Sequence, residues 1–86
     1  MASDLILTKQ AAKDLEGLPE DVARRLVQKL LWFSRQGNPT KFGKRLREPA
    51  AGDLRFRIGD YRAIAIIEEK TQRIVIVKIG HRRGIY

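Results

Sequence analysis

Residues 54–58 read Leu-Arg-Phe-Arg-Ile, an alternation that commits the segment to a strand with one apolar and one cationic face. Upstream the period is different. Val22, Ala23, Leu26, Val27, Leu30, Leu31 and Phe33 recur at three- and four-residue steps, with Arg24, Arg25, Gln28, Lys29 and Arg35 between them. That is an amphipathic helix. Helices therefore come first and strands follow, the order of an α+β chain whose helices lie on one face of a sheet.

The remaining elements follow from local chemistry. Ser3–Thr8 is a short apolar first strand, and Thr8 is placed to cap a helix from Lys9 to Leu15. Gly17 is placed to end that helix in a left-handed conformation, and Pro19 suits the first turn of the next. Gly37-Asn38-Pro39 stops the second helix, so residues 9–36 form a helical hairpin. Residues 40–51 read as a loop with a short extended piece at Lys44–Leu46. Gly59-Asp60 is a tight turn. Tyr61–Glu68 and Arg73–Ile79 are further strands, so residues 53–80 form an antiparallel meander. The expected architecture is an N-terminal strand and a helical hairpin packed on one face of a mostly antiparallel four-stranded sheet. The expected core is Leu26, Leu30, Phe33, Leu54, Phe56, Ile58, Ile64, Ile66, Val75 and Val77. Trp32 belongs to the core or to a docking edge, and Tyr61 is expected to pack rather than react.

With 86 residues the chain reads as a single domain, 1–86. It contains no cysteine and one histidine, His81, which rules out a disulfide framework, a thiolate zinc site and a histidine metal cluster. No metal or cofactor is expected. No apolar run approaches a membrane span and no signal peptide is legible, so no membrane role and a cytoplasmic location are expected.

The net charge is +8. Residues 1–40 carry six basic and five acidic side chains, whereas residues 41–86 carry twelve and five. A cationic half of this kind implies a polyanionic partner, either nucleic acid or an acidic protein covering the same surface.

If Leu54, Phe56 and Ile58 turn inward, Arg55 and Arg57 face outward, roughly 6.6 Å apart along the strand. That is close to the spacing of successive phosphates, and two like charges so placed are costly without an anion. Arg62 follows the Gly59-Asp60 turn, and His81, Arg82 and Arg83 follow the last strand, so the meander gathers them at one end of the sheet. Arginine offers a planar fork to phosphate oxygens and histidine transfers protons near neutral pH. Tyr86 offers a ring or a hydroxyl to a nucleotide. These groups suit metal-free RNA cleavage by the ribose 2′-OH. Lys44 and Arg45, in the basic run Lys41–Arg47, suit the phosphate backbone. A solvated cationic face and an ordinary turn histidine are the alternatives. Glu68 and Glu69 read as solvated turn residues.

The run AAKDLEGLPEDVARRLVQKL, then KRLRE, then GDLRFRIGDYR, and finally VKIGHRRGIY resembles the RelE/ParE superfamily of type II toxins, across residues 9–86. The resemblance implies a fold similar to small microbial ribonucleases. It implies mRNA cleavage in the ribosomal A site, with ribosome and mRNA as partners, and a cognate antitoxin that wraps the toxin in a hetero-oligomer. By position, Arg55 and Arg57 match basic strand residues that are often lysine in RelE. Arg62 matches the arginine on the scissile phosphate, Arg82 the one implicated in leaving-group protonation, and Tyr86 the tyrosine that orients the nucleotide. His81 matches a histidine of many relatives. Arginine in place of lysine removes a proton acceptor from positions 55 and 57. The open alternatives are a ParE-like toxin of DNA gyrase and a non-catalytic basic nucleic-acid-binding module.

Overall fold

Thr8 ends the first strand and begins the first helix. In the computed structural model, which describes residues 3–46 and 52–84, β1 spans Asp4–Leu7 and α1 spans Lys9–Glu16. The Thr8 hydroxyl accepts the Ala11 N–H at 3.2 Å, the expected cap. Gly17 ends the helix but is right-handed, φ −78°, rather than left-handed, because its N–H continues the helical pattern to the Lys13 carbonyl. α2 spans Glu20–Ser34, with Glu20 and Asp21 in its first turn, where negative charge meets the positive end of the helix dipole. A short 3₁₀ helix, Pro39–Phe42, leads into β2, Gly43–Arg45. The meander follows as β3 (Leu54–Ile58), β4 (Tyr61–Glu68) and β5 (Arg73–His81).

The sheet has five strands in the order β1-β5-β4-β3-β2. All neighbours are antiparallel except β1, which runs parallel to β5. The expected class holds, with β2 as the additional strand. β1 is parallel because it feeds directly into the hairpin, which crosses one face of the sheet before the chain reaches the meander.

Both helices cover that one face. Leu26, Leu30 and Phe33 of α2 and Ala11 and Leu15 of α1 join Leu54, Phe56, Ile58, Ile74 and Ile76 in one core. Phe56 is fully buried while Arg55 is only half-buried, so the expected register of β3 is observed. Burying a side chain such as Phe56 stabilises the fold by about 1.5–3 kcal/mol.

The expected core is wrong at Ile66, Val75 and Val77. Ile66 is 40% exposed, and Val75 and Val77 are half-buried, whereas Ile74, Ile76 and Ile79 are buried. β5 is apolar on both faces, so its composition does not set its phase. Pairing does: Leu5 stands beside Ile74 and Leu7 beside Ile76 on the helix side. The ladder then slips, with Ile64 opposite Lys78 and Ala65 opposite Ile76. Val77 is the extra residue of this bulge, and the slip returns Ile79 to the helix side. In β4 the helix side belongs to Ala63 and Ala65, which leaves Ile66 on the other face opposite Val75.

α1 seals the bulge. The Thr8 hydroxyl donates to the Val77 carbonyl at 3.3 Å, and the Asp14 carboxylate accepts the Ile79 N–H at 2.9 Å. Side chains of the helix thus replace a strand neighbour where β1 has ended.

Candidate nucleic-acid interface

The face of the sheet that the helices leave uncovered carries the cations. Lys44 pairs with Arg55 across β2 and β3, and Arg57 pairs with Arg62 across β3 and β4. Lys78 follows on β5, opposite Ile64. Ile64 lies among these charges and is nevertheless buried. The backbone at Gly52 closes over it, with a φ of 132° and so little room that a Cβ there would sit 2.6 Å from the Ile64 Cγ2. Only glycine fits both constraints.

Arg62 is held in place. Its guanidinium donates to the carbonyls of Gly59 at 3.0 Å and Tyr61 at 2.9 Å. The turn that supplies the Gly59 carbonyl depends on a left-handed Gly59, φ 60°. Partial burial lowers the proton affinity of Arg62, and Arg57, Arg55 and Arg82 lower it further, against the opposing pull of Asp60. It remains a cation at neutral pH. An anion held among these groups relieves their repulsion. Arg62, Arg57, Arg55, Lys44 and Lys41, with Phe42, line an open cleft of ≈ 410 Å³ at the β2 edge.

The end of β5 meets the Gly59-Asp60 turn as the meander implies. The Arg82 N–H donates to the Asp60 carbonyl at 2.8 Å, and its guanidinium lies 3.9 Å from the Asp60 carboxylate. Both side chains are exposed, so this ion pair adds little stability. Its effect is to keep Arg82 at the Arg62 end of the sheet.

His81 stands on the other side of the sheet from Arg55, Arg57 and Arg62. It pairs with Tyr61, and its ring meets the Tyr61 ring edge-on at 5.5 Å. Tyr61 alternates with Arg62, so the pair belongs to the helix side of the sheet, while Gly80 lies opposite Arg62. The His81 Nδ1 accepts the Arg83 N–H at 3.3 Å, and its carbonyl accepts the Gly84 N–H at 2.9 Å. His81 thereby shapes the turn that carries Arg82 and Arg83.

Arg45 is also not brought to the cleft. It pairs with Leu54 on the helix side and shares a pocket with Asp53 and Glu69. Its neighbour Lys44 faces the cleft, since adjacent strand residues point oppositely. Arg83 is exposed in the turn after β5. Tyr86 lies outside the described residues. Of the basic run Lys41–Arg47, which the sequence offers to a nucleic-acid backbone, Lys41, Phe42 and Lys44 line the cleft.

Among the described residues no group of three or more His, Cys, Asp or Glu side chains is placed to hold a metal ion. No described helix is long and apolar enough to cross a membrane.

A sequence family described as the ParE toxin of the type II toxin–antitoxin system parDE matches residues 5–86. Toxin RelE of Mycobacterium tuberculosis is 35% identical over 80 residues, covering 93% of this chain and 81% of that relative. Toxin RelG of the same organism is 32% identical over 79 residues, covering 92% and 90%. Among solved structures, the toxin–antitoxin complex RelBE2 from M. tuberculosis contains a similar chain. It superposes with a TM-score of 0.85 at 30% identity, over 95% of this chain and 93% of that one.

Proposed function

As the chain belongs to the RelE/ParE superfamily of type II toxins, we propose that it is a metal-independent endoribonuclease that cuts mRNA on the ribosome. It is the toxin of a toxin–antitoxin pair, and its protein partner is a cognate antitoxin. The site of action is the cytoplasm, where ribosomes are, and residues 1–86 act as one domain.

The observation that carries this reading is the convergence of Arg55, Arg57 and Arg62 on one cleft, with Lys44 beside Arg55. In the reaction the ribose 2′ oxygen attacks the adjacent phosphorus and loses its proton. The bond from phosphorus to the 5′ oxygen breaks, and that oxygen gains a proton. The products are a 2′,3′-cyclic phosphate and a 5′-hydroxyl. Arg62 stabilises the additional charge on the phosphorane, and its tether to the turn carbonyls sets its position before substrate arrives. Arg55, Arg57 and Lys44 hold the flanking phosphates.

Arg82 serves the leaving oxygen from the end of β5. His81 positions the turn that presents Arg82 and Arg83, and Tyr86 orients the nucleotide, the role that the resemblance gives it. Glu68 does not supply a base for the 2′ proton, because it pairs with Arg73 at the far end of β4. The ribosome supplies the strained mRNA geometry, and the toxin contributes positioning and charge.

A second reading is the toxin of DNA gyrase that resemblance to the ParE branch implies, and a family described as a ParE toxin matches residues 5–86. Translation in a cell-free extract and supercoiling by purified gyrase separate the two. We expect the protein to halt translation with mRNA fragmentation and to leave supercoiling unchanged. Inhibited supercoiling with intact mRNA reverses the assignment.

A further inference from the structure

Beside the cationic cleft lies an aromatic surface that phosphate chemistry does not require. Three rings step outward from the core. Phe56, fully buried, stacks on Phe33 at 4.8 Å with 15° between planes, and Phe33 stacks on Phe42 at 5.6 Å with 26°. Phe42 is 40% exposed and lines the cleft with Lys41, Lys44, Arg55, Arg57 and Arg62. Trp32, 44% exposed, meets the Phe42 ring edge-on at 5.0 Å, and the Lys29 ammonium lies 4.7 Å from the centre of the Trp32 ring. Phe42 does not fold away: the buried Phe33 ring stacks on it and the exposed Trp32 ring meets it edge-on.

We propose that Phe42 is a stacking platform for an unpaired RNA base whose backbone phosphate lies among the arginines. The assignment rests on the reading of the cleft as an RNA site. Charge complementarity calls for a polyanion, and a ring beside five cations suits a strand that carries bases as well as phosphates; an acidic antitoxin segment is the occupant the test excludes. A cationic groove combined with an aromatic platform is how single strands are held without regard to sequence. Gly43 favours the arrangement. A Cβ there would approach the Phe56 ring to 3.2 Å, so glycine lets β2 pack close to that ring.

Trp32 is the only tryptophan, so its emission reports on the neighbouring ring. The probe is a short 2′-O-methyl RNA, which the toxin cannot cut, compared with the same strand carrying abasic residues. The free toxin should bind the intact strand about tenfold more tightly than the abasic one, in keeping with the worth of one stacked base. The intact strand alone should quench Trp32. Phe42→Leu should remove the difference between strands while leaving the salt dependence of binding intact. Phe42→Tyr, which keeps the ring, should retain the difference.

Equal binding of the two strands by the wild-type toxin overturns the proposal, as does unchanged discrimination in Phe42→Leu. Quenching by the antitoxin with none by RNA overturns it too, and gives the surface to protein. Cleavage on ribosomes is scored separately. Cutting without strand discrimination removes the platform and keeps the nuclease, whereas discrimination without cutting keeps the platform and removes the nuclease.

Discussion

Arg57 and Arg62 are direct cross-strand neighbours on the uncovered face of the sheet. Like charges in that relation oppose pairing of their strands. A guanidinium whose proton affinity is lowered by folding, as that of Arg62 is, opposes folding while it is charged. That opposition is complete at neutral pH and lifts only in strong alkali. An anion or a neutral neighbour relieves it under ordinary conditions. Arg57→Gln should therefore raise the melting temperature at low salt, by about 2 °C for a domain of this size. The gain should shrink as salt rises, and inorganic phosphate should stabilise the wild type more than the variant. The same substitution should slow cleavage. A melting temperature that falls at every salt concentration would mean that Arg57 is structural.

His81 and Tyr61 pair on the helix side, away from Arg55, Arg57 and Arg62. His81→Gln should accordingly lower the cleavage rate less than Arg82→Ala does and leave the pH profile near neutrality unchanged. Loss of a neutral-pH step in His81→Gln, measured in single-turnover cleavage on ribosomes, would make His81 a proton carrier.

Asp14 accepts the Ile79 N–H beside the β5 bulge. Asp14→Ala leaves that partly buried donor without its acceptor, which costs about 1–3 kcal/mol in urea unfolding. Asp14→Asn keeps an oxygen in place and should cost less. Equal loss in both variants would assign the effect to charge rather than to the hydrogen bond.

The parts of this molecule that its sequence discloses are those where one residue decides alone. Leu54–Ile58 alternates, so its two faces are legible and Arg55 and Arg57 fall on the open one. Thr8 caps α1 as its hydroxyl chemistry implies. Ile74–Val77 is uniformly β-branched, and nothing in it marks Val77 as the residue of the bulge; that depends on β1, β4 and α1 together. The site divides in the same way. Arg62 and Arg82 meet at the turn because a meander brings them there. Lys44 and Arg45 look alike in sequence, and only the pairing of β2 with β3 sends one to the cleft and the other to Asp53 and Glu69. The bulge adds a residue before Gly80 and His81, which puts Gly80 rather than its neighbour opposite Arg62.

The most direct test of the account is single-turnover cleavage of mRNA positioned on purified ribosomes, with wild-type toxin and Arg62→Ala. The wild type should cut within the A-site codon and leave a 2′,3′-cyclic phosphate, and a 2′-deoxy sugar at the cut should block the reaction. Arg62→Ala should be slower by about 10²–10³, the usual cost of one donor to developing phosphate charge, while still binding the antitoxin. Intact mRNA with the wild-type toxin, or cleavage at an undiminished rate by Arg62→Ala, would contradict it.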